Sequence, residues 1–157
     1  MEIVKIIDEN NSHYKKIIEW NHNWWGHPRG RELREVEAFM NNMLCEDRVP
    51  QTYAVLIDGS VVGSYQLGMF DGLTIRPDLY PWLLNVYVDE KHRGKGICAL
   101  IAEHSKKTIK DLGYSELYLH TQHVGLYEKY GWEFLGEVES FRKNKDETHE
   151  RLYIVKV

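Results

Sequence analysis

Apolar side chains recur every three to four residues in three segments of the chain, which predicts three amphipathic helices. The first stripe precedes a Gly-His-Pro-Arg-Gly break at 26–30 and consists of Tyr14, Ile17, Ile18, Asn21 and Trp25. The second consists of Leu33, Val36, Met40 and Leu44. The third, which Gly113 ends, contains Ile97, Leu100, Ile101 and Leu112. A shorter helix is predicted over 126–130, before Gly131.

Other segments are rich in apolar and β-branched residues, which predicts strands. The runs 53–57 and 61–69 flank Asp58-Gly59, a dipeptide that favours a tight hairpin turn. The run 82–88 is apolar apart from Asn85, so we expect a central strand there. Further strands are predicted at 2–8, 117–121, 132–141 and 151–157, with a charged turn between the last two. This order predicts an α/β fold around a mixed sheet, in a single domain over residues 1–157.

Composition narrows the class of protein. Of the 157 residues, 43% are hydrophobic and 28% charged, which is enough to bury a core and argues against disorder. The formal net charge of −4 disfavours a general nucleic-acid partner. No apolar run is long enough to span a membrane or to act as a signal peptide, and Cys45 and Cys98 are too few for a disulfide framework. We therefore expect a cytoplasmic protein with no membrane partner.

The densest basic cluster in this acidic chain lies between the predicted central strand and the third helix. It comprises Lys91, His92, Arg93 and Lys95, interleaved with Gly94 and Gly96. The first amides of a helix lack partners inside the helix and favour an anion. The two glycines allow the backbone to curve around phosphate oxygens without a Cβ in the way. The loop therefore predicts a ligand that carries phosphate.

Three other interpretations of this loop were compared with its sequence. A Walker loop is excluded because its Gly-x-x-x-x-Gly-Lys-Ser/Thr spacing is absent. The dinucleotide fingerprint matches at Gly94, Gly96 and Ala99, with Glu116 downstream. Against it, a polar stretch separates the strand from Gly94, and the elements do not alternate as a doubly wound fold requires. A glycine-rich helix start without a ligand is the third alternative.

Two motifs together resemble a known family. The segment 93–98 is similar to motif A of the GCN5-related N-acetyltransferases (the GNAT superfamily), with Cys98 at its final small position, and it follows the apolar strand 84–88. Downstream, the segment 126–132, Leu-Tyr-Glu-Lys-Tyr-Gly-Trp, resembles the family's motif B. The resemblance is sharp over residues 82–136. It implies a mostly antiparallel central sheet with a splayed strand pair, flanked by helices.

The resemblance also implies acetyl-coenzyme A (acetyl-CoA) as the acyl donor. The backbone of Val86, Tyr87 and Val88 is then expected along the pantetheine arm, as if the ligand were an added strand. The pyrophosphate is expected on the loop and first helical turn, at Arg93, Gly94, Lys95, Gly96, Ile97, Cys98 and Ala99.

For catalysis, the resemblance assigns Tyr127 a hydrogen bond to the departing sulfur. The glutamate that some family members carry early on the central strand is missing, because Trp82 and Asn85 occupy that region. His120 is the nearest titratable substitute as general base, with an ordinary strand-end histidine or a water chain as alternatives. His120 and His123 alone do not make a metal site, and no metal is expected.

The acceptor side is least defined. Trp20, Trp24 and Trp82 are candidate walls of a substrate site, with core packing as the alternative. His27, Arg29 and Arg31 suit a carboxylate, with a solvated loop as the alternative. We expect transfer to a primary amine of a small molecule or peptide. A homodimer is a further expectation, because dimers are common in the family that the sequence resembles. The rival functions are a non-catalytic acyl-CoA sensor or partner-binding domain, and a dinucleotide enzyme.

Overall fold

The computed structural model describes residues 1–71, 76–139 and 149–157. Its helices are α1 (Tyr14–Asn21), α2 (Leu33–Met40) and α3 (Ile97–Asp111). A π-helical turn (His22–Gly26) and a 3-10 turn (His27–Arg29) extend α1 towards α2. Further 3-10 turns cover Asn41–Met43, Glu90–His92 and Tyr127–Tyr130. None of the helices described is long and apolar enough to cross a membrane.

Seven strands form a mixed, mostly antiparallel sheet. They are β1 (Glu2–Ile6), β2 (Gln51–Ile57), β3 (Ser60–Gly68), β4 (Trp82–Val88), β5 (Glu116–Thr121), β6 (Glu133–Glu139) and β7 (His149–Lys156). Their order in the sheet is β1-β2-β3-β4-β5-β7-β6. β4 and β5 are the parallel pair, in register at Trp82 opposite Tyr118. This sheet confirms the predicted fold class.

The described chain divides into two compact units. The first contains residues 1–67 and 85–98, and the second contains residues 68–84 and 99–157. The single domain expected over 1–157 stays a prediction.

In the first unit, α1 and α2 cover the antiparallel strands β1 and β2. The helices bury their apolar stripes, and the strands add Ile6, Ala54 and Leu56 to the same core. The hairpin β2–β3 turns at Asp58 and Gly59, whose φ angles are 49° and 76°. Two positive φ values in succession are what the predicted Asp-Gly turn requires.

In the second unit, a smaller core forms on one face of the sheet. Its buried members are Leu79, Trp82, Tyr118 and Leu152. β5 lies antiparallel to β7, and β7 antiparallel to β6. α3 ends at Asp111, and Gly113 follows with a φ of 86°, as the predicted glycine stop requires.

Most predicted elements are present, with differences at their ends. β1 stops at Ile6 instead of residue 8, and the predicted helix over 126–130 is a single 3-10 turn. Leu33 was expected on the buried face of α2, but it begins the helix and is 46% exposed. The predicted charged turn between the last two strands falls in 140–148, outside the described residues.

One residue inside β4 departs from extended geometry. Asn85 has a φ of 47°, in the left-handed region that only glycine, asparagine and aspartate visit readily. Its side-chain amide donates to Gln66 Oε1 at 2.6 Å. Gln66 in turn donates to Thr52 Oγ1, and Thr52 donates to the carbonyl of Met43. A chain of buried hydrogen bonds therefore holds the irregular point of β4 in place.

We predict that Asn85→Gly lowers the free energy of unfolding by about 1–2 kcal/mol, because it leaves the buried Gln66 oxygen without its donor. Glycine accepts the backbone angle, so strain does not contribute. Asp58→Gly is the control, because Asp58 also has a left-handed φ but lies in an exposed turn. Urea unfolding should show a loss in Asn85→Gly and none in Asp58→Gly. Equal stability of the two variants would contradict the role of the hydrogen bond.

Candidate active site

The glycine loop before α3 is open to solvent along its backbone. Gly94 and Gly96 have φ angles of 77° and 81°, and residues 93–96 are exposed. A Cβ built at either glycine would meet no atom within 4 Å. These glycines are therefore required by backbone conformation, and they leave room for a ligand against the loop.

The two basic side chains of the loop, Arg93 and Lys95, differ in their contacts with the rest of the protein. Arg93 Nε donates to the carbonyl of Val88 at 3.2 Å, and one of its terminal nitrogens lies 3.6 Å from Glu90. Its guanidinium is 5.9 Å from the Trp24 ring centroid. Lys95 lies on the exposed part of the loop. Arg93 thus ties the loop to the end of β4, and half of its side chain remains exposed.

Close packing joins β3, β4 and the first residue of α3. A Cβ on Gly63 would lie 3.0 Å from the carbonyl oxygen of Tyr87 and 3.3 Å from Ile97 Cγ2. Asp89 N also donates to the carbonyl of Val62 at 2.9 Å. β3 therefore supports the backbone of β4 just before the glycine loop.

Three tryptophans from the end of α1 surround Tyr87 on β4. The ring centroids of Trp20, Trp24 and Trp25 lie 4.8, 5.8 and 6.4 Å from that of Tyr87. Trp20 is buried, whereas Trp24 is 53% exposed. The cluster therefore packs against β4, and about half of the Trp24 side chain remains exposed.

The third candidate tryptophan lies elsewhere. Trp82 is 1% exposed, and its indole N–H donates to the carbonyl of Leu79 at 2.7 Å. Its ring packs 5.9 Å from that of Tyr118. A side chain buried this deeply offers no surface to an acceptor, so we leave Trp82 out of the proposed acceptor site.

Tyr127 begins the 3-10 turn that Gly131 ends with a φ of 84°. Its ring is buried and lies 5.9 Å from Trp132 and 6.3 Å from Tyr153. Tyr153 is itself fixed, because its hydroxyl donates to Glu128 at 2.7 Å and accepts from Arg151 Nε at 2.8 Å. The aromatic contacts therefore set the orientation of the Tyr127 ring.

His120 lies between two carboxylates. Its Nε2 is 2.5 Å from Asp71 Oδ2, and its Nδ1 is 2.6 Å from Glu150 Oε2. Burial alone lowers the pKa of His120, but the hydrogen bonds and charges of Asp71 and Glu150 outweigh it and raise the pKa to about 9. His120 is therefore an imidazolium at neutral pH.

This protonation state argues against the predicted role of His120 as general base. An imidazolium has no lone pair for a proton, and here its Nδ1 is hydrogen-bonded to Glu150 while its Nε2 lies beside Asp71. His120 instead joins β5 to β7 and to the chain that follows β3. Among the residues described, no three His, Cys, Asp or Glu side chains are placed to hold a metal ion.

Comparison with known proteins now decides the family. The sequence profile of the acetyltransferase (GNAT) family matches residues 14–132, which is more than half of the chain. The chain belongs to this family. As a member it is an acetyltransferase with acetyl-CoA as co-substrate, as predicted. No curated protein matches the sequence.

Solved structures agree with the family at the level of the fold. An aminoglycoside 6'-N-acetyltransferase complexed with coenzyme A superposes with a TM-score of 0.71 at 18% identity, covering 99% of this chain and 97% of that one. The IAA acetyltransferase from Bacillus cereus gives 0.67 at 20% identity, covering 99% of both chains. A GNAT family acetyltransferase from Elizabethkingia anophelis, with acetyl-CoA bound, gives 0.68 at 16% identity and covers 99% and 97%.

Sequence reasoning missed Asp71 and Glu150, the two partners of His120 in this acetyltransferase. A signal existed for Glu150, because it falls in phase with the buried Leu152 on alternate positions of β7. Asp71 lies in the chain after β3, where no periodicity or motif in the sequence predicts a buried carboxylate. Only the fold brings it next to His120.

The pKa of His120 gives a stability prediction with a definite sign. Its folded pKa of about 9 lies above the usual 6.5, so its stabilising effect is complete below pH 6.5 and is lost as pH rises towards 9. We expect the free energy of unfolding to fall by about 3 kcal/mol over this range in urea titrations. His123→Gln, at an exposed histidine, should keep this decline. His120→Gln should lack it, and a wild-type profile that is flat from pH 6.5 to 9 would contradict the assignment.

Proposed function

We propose that the protein transfers the acetyl group of acetyl-CoA to a primary amine of a small molecule or peptide, by direct attack of the amine on the thioester. The observation that carries this proposal is the open glycine loop at the start of α3. Its two left-handed glycines, Arg93 and Lys95 fit a pyrophosphate, and a single 3-10 turn separates the loop from the end of β4. In this proposal the residues 93–99 hold the pyrophosphate.

The backbone of Val86, Tyr87 and Val88 is proposed to bind the pantetheine arm by strand-like hydrogen bonds. These residues are half-buried, and the tryptophan cluster and Gly63 support them from within the first unit. A backbone amide near Val86 would stabilise negative charge on the acetyl oxygen during attack. Trp24, which is half exposed, and the more buried Trp20 are proposed to border the acceptor.

Acyl transfer needs two proton movements. As the acceptor amine forms its C–N bond to the acetyl carbon and the C–S bond breaks, the amine must lose a proton and the sulfur must gain one. Because His120 is already protonated, we propose that water removes the amine proton. Tyr127 is proposed to donate a hydrogen bond to the departing sulfur. A thiolate has a lower proton affinity than a phenolate, so the proton of Tyr127 moves to the sulfur late in the reaction.

A non-catalytic acyl-CoA sensor is the alternative, which differs in lacking turnover. A cytoplasmic location and a homodimer, both expected from the sequence, stay predictions.

We expect acetyl-CoA at a hundred times its Kd to stabilise the protein by about 3 kcal/mol, a rise in Tm of roughly 5–10 °C, and NAD to give no shift.

Gly96→Ala should raise the KM for acetyl-CoA at least tenfold, because its methyl group enters the space proposed for phosphate. Gly113→Ala is the matched control, with a similar φ and equally open surroundings at the end of α3. Both variants should lose about 1 kcal/mol of stability from backbone strain. Stabilisation by NAD and none by acetyl-CoA would reject the proposal.

We expect Tyr127→Phe to lower kcat by about tenfold to a hundredfold, with the KM for acetyl-CoA unchanged, because phenylalanine keeps the ring packing and removes only the hydroxyl. Thiol release should be followed over a panel of amines. Tyr130→Phe removes a hydroxyl from the same 3-10 turn and should keep the wild-type rate. An unchanged kcat in Tyr127→Phe would remove Tyr127 from the mechanism, and an absence of thiol release with every amine would favour the sensor.

A further inference from the structure

The segment between α1 and α2 forms a small pocket that the proposed reaction leaves unassigned. The pocket has a volume of about 60 Å³, and its lining includes Trp25, Arg29, Arg31, Phe39 and Asn85. One water molecule needs about 10–15 Å³ of space of this kind, so the pocket has room for a group of a few heavy atoms, such as a carboxylate. Every one of these lining residues belongs to the first unit.

The turn that carries the two arginines is tightly built. Gly26 lies so close to α2 that a Cβ on it would be 2.6 Å from Val36 Cγ2. Gly30, with a φ of 72°, donates its N–H to the carbonyl of His27, and Arg31 donates its N–H to the carbonyl of Gly26. The π-helical turn before it is of a kind found often at functional sites. The backbone of Arg31 is therefore fixed at the rim of the pocket.

The charges of this pocket select an anion. The carboxylate nearest in sequence, Glu32, is paired with Arg34 at 2.9 Å. In the described part of the chain, no carboxylate forms an ion pair with the Arg31 guanidinium. A guanidinium presents a planar set of N–H donors that matches a carboxylate in two parallel hydrogen bonds. A polycationic acceptor would meet the like charge of Arg31.

The pocket also adjoins the proposed donor strand. Asn85 lines it and is followed directly by Val86, so the two positions are about 3.3 Å apart along β4. An acceptor whose carboxylate enters the pocket would therefore hold its amine near the backbone proposed to bind pantetheine. An α-amino acid carries both groups on one carbon.

We propose that Arg31 binds the carboxylate of the acceptor, so that the substrates are α-amino acids. Trp25 and Phe39 supply the apolar lining. This inference rests on the proposed N-acetyltransferase function and adds its substrate class.

The test compares matched pairs of amines by the rate of thiol release at saturating acetyl-CoA. The pairs are leucine with leucinamide, phenylalanine with phenylalaninamide, and methionine with methioninamide, and spermidine and kanamycin serve as polycations. Amides of amino acids have less basic amines, so more of the amine is neutral at a given pH. A preference for the acids therefore cannot come from amine deprotonation. We expect kcat/KM for each acid to exceed that for its amide at least tenfold.

Variants then assign the preference to the pocket. Arg31→Gln should lower kcat/KM for the acids at least tenfold while leaving the amides and the KM for acetyl-CoA unchanged. Arg31→Lys should recover part of the loss, because it keeps the charge but not the planar donor pair. Arg34→Gln, at a side chain 83% exposed and paired with Glu32, should behave as wild type.

Two outcomes would overturn the inference and leave the proposed function standing: equal rates for acids and amides, or a preference for spermidine or kanamycin. An Arg31→Gln variant that retains the full preference for acids would also overturn it. If no amine in the panel releases thiol although acetyl-CoA stabilises the protein, the proposed enzymatic function itself fails, and the inference fails with it.

Discussion

Inside β4, the side chain of Asn85 donates to Gln66 at 2.6 Å while its backbone takes a φ of 47°. A left-handed residue in a strand interrupts the extended backbone, and it persists only where its surroundings hold it. Here the hold is a buried chain of hydrogen bonds through Gln66 and Thr52 to Met43. The proposed pantetheine residues begin at the next position, and the arginine pocket is lined by Asn85 itself. Both proposed ligand contacts of the first unit therefore depend on this one irregular residue.

Around that point, the first unit supports β4 with aromatic and glycine packing. Gly63 allows β3 to approach the carbonyl of Tyr87, and three tryptophans surround the Tyr87 ring. The π-helical turn after α1 places Trp24 and Trp25 on this strand and then leads into the turn that carries Arg29 and Arg31. One short segment thus carries residues of both the proposed donor site and the proposed acceptor site.

In the second unit, a buried set of charged side chains joins the strands. Two carboxylates hold His120 as an imidazolium, so the group best suited by sequence to accept a proton is occupied in joining strands. Breaking such a buried set would leave a carboxylate without its partner, which is costly in a low-dielectric core. Tyr127 has a comparable dependence on packing, because Trp132 and Tyr153 orient its ring. Proton transfer from the amine is then left to water in our proposal.

The sequence by itself determined the elements and the glycine loop before α3, because these features are local. Helical periodicity, the Asp58-Gly59 turn, and the glycines at 94 and 96 each act through neighbouring backbone, so α1, α3, the β2–β3 hairpin and the conformation of the glycine loop were predictable. Only the tertiary structure decided which side chains meet. Asp71, in the chain after β3, and Glu150, on β7, are distant from His120 in sequence but lie beside it, and burial removes Trp82 from any acceptor surface. Pairing between distant residues depends on sheet order and register, which no spacing along the chain encodes.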